Sequence, residues 1–164
     1  MKRAAALVAM IGLVSAGSAL ARDRLGVWND WGAFRDVAVP RCYAIAMAID
    51  QPRQRRDAQP YFTIANWPRR GIRGEIHARL SREAAAGKPV TIVIGGQKFG
   101  AVGTGFDIWA ADRRSDAAIV AALRGDGDMT VIARDRDGRQ LRDIYHLAGA
   151  ASAMDAASLG CAAS

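Results

Sequence analysis

The residues that could do chemistry in this 164-residue chain are few, and no common catalytic arrangement links them. The two histidines, His77 and His146, stand at no spacing typical of a zinc site. No G-x-S-x-G nucleophile elbow occurs, and the glycine-rich residues 95–105 have neither the P-loop order nor the G-x-G-x-x-G order. We therefore predict no catalytic residue, no bound metal and no cofactor.

One catalytic alternative stays open. His146 lies close in sequence to Asp143, and a serine from elsewhere in the chain would complete a Ser–His–Asp site if the fold brought the three together. Such a site would make the protein a periplasmic hydrolase of unrecognised type. His77 is not part of this alternative, because its strand pattern places it on a polar, solvent-facing side.

The N-terminal residues 1–21 have the pattern of a cleavable signal peptide. Lys2 and Arg3 precede an uncharged apolar stretch, and Ala19-Leu20-Ala21 fits an A-x-A cleavage site. The apolar stretch is short for an uncleaved membrane anchor. This pattern predicts an exported protein, periplasmic or associated with the outer envelope, in which residues 22–164 form a single domain.

The sequence contains only two cysteines, Cys42 and Cys161. An even number of cysteines in an oxidising compartment favours a disulfide between them. The bridge would close a long loop, for which the chain-entropy model gives about 5 kcal/mol as an upper figure. The alternative is two separate buried thiols.

Arginine supplies most of the positive charge, because the net charge is +7 and lysine occurs only at positions 2, 88 and 98. Exposed arginines suit anionic lipid or glycan surfaces, whereas nucleic acid is not expected for an exported chain. Two predicted turns, residues 51–60 and 67–74, would form one positive rim if they lay side by side. The rim would contain Arg53, Arg55, Arg56, Arg69, Arg70 and Arg73. The alternative is scattered solvated charge.

The elements that must position these residues are mostly strands. In "GEIHARL", Ile76, Ala78 and Leu80 alternate with polar residues, which predicts a strand with one buried face. The continuous apolar run at residues 89–96 predicts a strand buried on both faces. Further strands are predicted at residues 41–49, 61–67 and 106–110, and a hairpin at 129–147 turns at Asp137-Gly138.

Two short helices interrupt the strands, at about residues 115–124 and 149–159. Ser115 is the predicted N-cap of the first helix, and Gly125 is its predicted stop. The second helix carries a stripe of small residues, and Gly160 is expected to end it, so that Cys161 lies just beyond. The aromatic residues Trp28, Trp31 and Phe34 are expected in the core; the alternative is a patch that binds a sugar or a peptide strand.

The order of these segments resembles the invasion-associated locus B family of exported alpha-proteobacterial proteins. The resemblance rests on "WNDWGAF", on "PRCYAIA" and on the stretch from Ala118 to Cys161. Its clearest part is the "D-x-Y-x-L-x-G" motif, which Asp143, Tyr145, Leu147 and Gly149 match, followed by a terminal helix and cysteine.

The resemblance implies an immunoglobulin-like β-sandwich and export, and it supplies no catalytic residue. We therefore expect a mainly β protein, an immunoglobulin-like β-sandwich with two short helices. The expected function is that of a non-enzymatic binding module with an unknown envelope or host-surface partner.

Overall fold

The computed structural model describes residues 22–51 and 53–162. The predicted signal peptide, residues 1–21, lies outside the described residues. The strands are β1 (Asp23–Trp28), β2 (Trp31–Asp36), β3 (Arg41–Met47), β4 (Tyr61–Trp67), β5 (Ile72–Ala84), β6 (Val90–Ile94), β7 (Gln97–Ala110), β8 (Asp128–Arg134) and β9 (Gln140–His146). The helices are α1 (Arg113–Ala122) and α2 (Ala150–Ala162), and a short 3-10 turn spans Pro68–Arg70.

All these strands belong to one antiparallel sheet, in the order β1-β2-β3-β4-β5-β7-β6-β8-β9. The sheet folds over on itself, because strands that are far apart in this order are in contact. The ring of Phe62 on β4 meets the ring of Tyr145 on β9 at 5.8 Å, and the amide of Ile49 donates to the carbonyl of Ile144 at 2.9 Å. The predicted mainly β, sandwich-like fold with two helices is confirmed, and its two layers are parts of one continuous sheet.

The two longest strands, β5 and β7, make the fold-over possible. Their pairing is interrupted between Arg79 and Ala84, where the register shifts. On β7, a Cβ at Gly103 would lie 2.3 Å from the carbonyl oxygen of Asp107, so only glycine allows the chain to bend this tightly. Each strand can therefore leave one layer and continue in the other.

The core lies between the layers and follows the predicted alternation on β5, where Ile76, Ala78 and Leu80 are fully buried. The prediction for β6 is wrong on one point. Its buried side chains alternate with half-buried Thr91 and Val93, so only one of its faces is in the core. A run of β-branched residues does not distinguish one buried face from two.

Helix α1 begins earlier than predicted. Its N-cap is Asp112 rather than Ser115, because the Asp112 carboxylate accepts a hydrogen bond from the Ser115 amide at 2.7 Å. The helix ends at Ala122, and Ile119 and Leu123 are buried against the sheet.

Helix α2 does not end at Gly160 but continues to Ala162, so Cys161 is a helical residue. Gly160 has a packing role instead. A Cβ at this position would lie 2.5 Å from the Leu25 Cδ1 atom of β1, so glycine lets the helix approach the sheet closely. None of the helices in the described part of the chain is long and apolar enough to cross a membrane.

Candidate functional site

The disulfide fixes one end of the molecule. Cys42 on β3 and Cys161 on α2 are joined, with their Cα atoms 5.7 Å apart and a sequence separation of 119. The predicted pairing is confirmed. The bridge holds the last turn of α2 against the ends of β3 and β4, where the Asn66 side-chain amide also reaches the Ser158 hydroxyl at 3.4 Å.

The six predicted arginines form two clusters rather than one rim. Arg53, Arg55 and Arg56, the loop cluster, precede β4, whereas Arg69, Arg70 and Arg73, the turn cluster, follow it. Strand β4 has seven residues, so its length separates the clusters by about 20 Å. The condition for a single rim, that the two turns lie side by side, is not met.

The loop cluster is largely occupied by internal contacts. The Arg56 Nη1 atom donates to the Asp50 carboxylate at 2.6 Å, and its Nη2 atom donates to the Ile49 carbonyl. The Arg55 Nε atom donates to Asp57 at 2.9 Å. Two of the three guanidinium groups are therefore already neutralised by neighbouring carboxylates.

The turn cluster is exposed at the surface. Within the described part of the chain, no carboxylate lies at ion-pair distance from Arg69, Arg70 or Arg73. The guanidinium of Arg70 stacks over the Trp67 ring at 5.3 Å, which orients it without neutralising its charge. The nearby Glu75 carboxylate is engaged by the Trp67 indole N–H at 2.6 Å.

Two grooves adjoin the turn cluster, and we call the pair the arginine cleft. One, of about 480 Å³, lies between α1, α2 and the start of β5, with Ile64, Val120 and Met154 in its wall. The other, of about 430 Å³, lies beside the β2–β3 turn. Pro68 and Cys161 line both grooves, so the disulfide lies where they meet.

Five arginines line the cleft, but not all are available to a ligand. Arg73 and Arg124 line the larger groove, and Arg35, Arg41 and Arg69 line the smaller one. The hydrogen bond from Arg124 lowers the pKa of the Asp155 carboxyl, so this pair stays ionised at neutral pH. Arg35 and Arg41 face Asp23 and Asp36. Free positive charge at the cleft therefore comes from the turn cluster.

The alternative Ser–His–Asp site is not assembled. Asp143 points into the core, where its carboxylate accepts hydrogen bonds from the Ser81 amide at 2.9 Å and the Gln54 side chain at 3.1 Å. His146 points outward and its Nδ1 atom lies 2.7 Å from the Asp128 carboxylate. Because positions 143 and 146 face opposite sides of β9, the histidine cannot bridge Ser81 and Asp143.

His77 and the aromatic residues near the N-terminus, the remaining candidates, make contacts within the fold. His77 lies on the outer face but is half-buried between the Tyr61 and Trp109 rings, with its Nε2 atom 2.9 Å from Asp107. Trp31 is fully buried and donates its indole N–H to the His146 carbonyl at 2.8 Å. It cannot share a surface patch with Phe34, which stacks on Tyr43 at 5.8 Å.

Sequence reasoning missed Arg41 and Arg124 as parts of the cleft, and it missed Trp67 as the ring on which Arg70 stacks. Arg41 precedes Cys42, so its position beside the disulfide was visible in the sequence once the bridge was predicted. The position of Arg124 depends on its ion pair with Asp155 of α2, for which the sequence contains no signal.

No group of three or more histidine, cysteine or acidic residues suited to a metal occurs in residues 22–51 and 53–162. No protein-family model, curated protein or solved structure matches the chain.

Proposed function

We propose that this protein is an exported, non-enzymatic binding module of the invasion-associated locus B type, which holds an anionic partner at the envelope or host surface. The proposal rests on the family resemblance and the signal-peptide pattern of its sequence. It narrows the predicted six-arginine surface to the turn cluster, Arg69, Arg70 and Arg73.

A single observation carries the proposal: three exposed guanidinium groups, without carboxylate partners among residues 22–51 and 53–162, stand at the edge of a cleft with an apolar wall. Guanidinium groups bind phosphate, sulfate and carboxylate oxygens in paired hydrogen bonds. Each arginine near an anionic membrane surface contributes about 1 kcal/mol, so three correspond to an affinity difference of roughly 100-fold.

The apolar wall adds a second element of recognition. Ile72 and Val120, which are partly exposed in this wall, would contact the uncharged part of a ligand while the arginines bind its anionic group. An anionic lipid fits this combination, and so does a sulfated or carboxylated glycan whose sugar faces are apolar. The disulfide keeps α2 and β3, which carry parts of both walls, in a fixed relation.

The test compares two triple variants of residues 22–164. Arg69→Gln, Arg70→Gln and Arg73→Gln remove the turn cluster, and Arg24→Gln, Arg53→Gln and Arg142→Gln remove the same charge from exposed positions outside the cleft. Binding is measured to phosphatidylglycerol vesicles, to phosphatidylcholine vesicles and to immobilised heparin over a salt series. Circular dichroism verifies the fold of each variant.

We expect the turn-cluster variant to lose roughly 100-fold in affinity for one anionic probe, and the control variant to lose much less. The probe that is affected distinguishes a lipid from a glycan partner. Equal losses in the two variants, or equal binding to both vesicle types at every salt concentration, would contradict the proposal.

A further inference from the structure

The open edges of the sheet differ in how their backbone groups are satisfied. On the outer edge of β9, four alternate carbonyls accept hydrogen bonds from other parts of the chain. The donors are Arg82 to Gln140 at 2.8 Å, Gln51 to Arg142 at 2.8 Å, the Ile49 amide to Ile144 at 2.9 Å, and Trp31 to His146 at 2.8 Å. This edge has no free row of acceptors for a further strand.

The outer edge of β1 is irregular. Its pairing with β2 shifts register between Arg24 and Gly26. The Trp28 side chain folds back over Gly26, where a Cβ would lie 2.3 Å from the indole ring. A register shift and an overlying ring make a strand edge a poor template for further pairing.

The first half of β7 has an edge of a different kind. Residues 97–101 pair in unbroken register with β6, and pairing with β5 on the other side reaches only to Gly105. Residues 97–101 therefore have β6 on one side and, within the described part of the chain, no strand on the other, and residues 102–103 continue this open edge.

The hairpin geometry defines which backbone groups point outward. Ile94 and Gln97 close a two-residue turn in which Gly95 and Gly96 have φ of 54° and 80°. The closing pair of such a turn is hydrogen-bonded, and bonded and unbonded positions then alternate. The N–H and C=O groups of Lys98, Gly100 and Val102 therefore face away from β6.

These outward positions are exposed and sterically open. Val102 is 52% exposed, and a Cβ placed on Gly100 would meet no atom within 4 Å. On the core-facing side of the same strand, Phe99 and Ala101 are only partly buried. An added strand would cover these two side chains and satisfy the outward backbone groups at once.

We propose that the open edge of β7, residues 97–103, binds an extended peptide of a partner protein as an additional strand. Main-chain hydrogen bonds would supply the affinity, and side chains next to Phe99 and Ala101 would be apolar. Lys98 projects from the opposite, exposed face of the strand, and the chain has a net charge of +7, so the complementary peptide is acidic on that face. The edge is separate from the arginine cleft, which no residue of β7 lines.

The test uses two end-blocked peptides of alternating sequence, one of glutamate and valine and one of lysine and valine. Backbone amide exchange is followed by NMR in residues 22–164 with and without each peptide. We expect the glutamate peptide to slow exchange of the outward amides of Lys98, Gly100 and Val102 at least tenfold. The inward amides of Phe99 and Ala101 are already protected and should change little.

A matched pair of variants at one position tests the backbone contribution. Gly100→Pro removes one outward N–H without removing a bond to β6, and proline is tolerated on strand edges. Gly100→Ala keeps that N–H and has room for its Cβ. We expect roughly tenfold weaker peptide binding for Gly100→Pro and unchanged binding for Gly100→Ala.

Several results would overturn the inference. These are equal protection by both peptides, protection confined to other strands, or equal binding by the two Gly100 variants. Concentration-dependent protection of the same amides without peptide would show that the edge pairs with a second copy of the chain instead. Because the amide-exchange readout needs no substitution, a failure of Gly100→Pro to fold leaves the test intact.

Discussion

The two arginine clusters at opposite ends of β4 each contain three arginines, but they differ in whether neighbouring carboxylates pair with them. In the loop cluster, Arg55 and Arg56 are bound by Asp57 and Asp50, which flank them in the sequence. The turn cluster has no acidic neighbour until Glu75, and the Trp67 indole engages that carboxylate. A run of arginines is therefore a binding surface only where local carboxylates leave its charge unsatisfied.

The clusters also differ in what lies beneath them. The loop is fastened to the core, because Gln54 contacts buried Asp143 and the amides of Asp57 and Ala58 donate to the Ser81 carbonyl at 2.8 and 3.2 Å. The turn cluster stands over the arginine cleft, and the disulfide fixes the cleft walls. One end thus uses arginine within the fold, and the other leaves it exposed at the surface.

The largest expected effect comes from removing the disulfide. Cys42→Ser with Cys161→Ser should lower the free energy of unfolding by up to about 5 kcal/mol, because the bridge closes a long loop in the unfolded chain. The loss of stability should be largest at the turn-cluster end. There the backbone amides of α2 should exchange faster, while the exchange rates of the β8 and β9 amides should not change. Denaturant unfolding and hydrogen exchange measure the two effects, with the reduced wild type as control. Uniform loosening of both ends would contradict the proposed division.

At the loop-cluster end, substitution of Asp143 is expected to have an intermediate effect on stability. Asp143→Ala leaves the Ser81 amide buried without its acceptor and releases Gln54, which should lower the unfolding free energy by about 1–3 kcal/mol. Limited proteolysis should then cut the loop near Arg55 and Arg56, while vesicle binding by the turn cluster persists. A stable, uncut Asp143→Ala protein would show that the loop is held by other contacts.

The same carboxyl predicts a pH dependence. Burial raises the pKa of Asp143 above 3.8, although bonds from Ser81 and charge from Arg56 oppose the rise. The folded protein therefore binds a proton more readily than the unfolded chain, so this group contributes less stability as pH rises through the window just above 3.8. Asp143→Asn should gain stability relative to wild type across that window, in paired urea titrations. A constant difference would show that Asp143 titrates alike in both states.

A smaller effect distinguishes the two clusters directly. Arg56→Gln loses bonds to Asp50 and to the Ile49 carbonyl and should lower the unfolding free energy by about 1 kcal/mol. Arg70→Gln loses only a stacking contact on Trp67 and should change it by less than about 0.5 kcal/mol. Thermal and urea unfolding of the two variants provide the comparison. A larger loss for Arg70→Gln would assign the turn cluster a structural role.

Local patterns in the sequence predicted much of the fold. The alternation of Ile76, Ala78 and Leu80 placed the core face of β5, and the cysteine count predicted the disulfide. The strand predicted at residues 61–67 already implied that the turns before and after it are a strand length apart, which a single rim does not allow. The flanking aspartates Asp50 and Asp57 also indicated which cluster would be neutralised.

Other features depend on the folded sheet and had no local signal. Gly160 looks like a helix stop, yet it is required where Leu25 approaches α2. The cleft forms because Pro68 and Cys161 meet across the end of the sheet, and the open edge of β7 exists because pairing with β5 extends only to Gly105. Register and strand order decide these features, and neither can be read from hydrophobic periodicity.

The smallest expected effect concerns the pH dependence of an ion pair outside both clusters, between His146 and Asp128. The hydrogen bond that His146 donates to the Asp128 carboxylate raises the pKa of this exposed imidazole above 6.5, with a further contribution from the charge of Asp30. The stability that this pair contributes is therefore fully present below pH 6.5 and is lost as pH rises through the folded-state value. NMR titration of the imidazole should show a midpoint above 6.5, and Asp128→Asn should bring it back towards that value. An unchanged midpoint in Asp128→Asn would mean that the contact between His146 and Asp128 does not persist in solution. The ion pairs of the loop cluster, Arg55 with Asp57 and Arg56 with Asp50, would then have to be tested by the same kind of substitution.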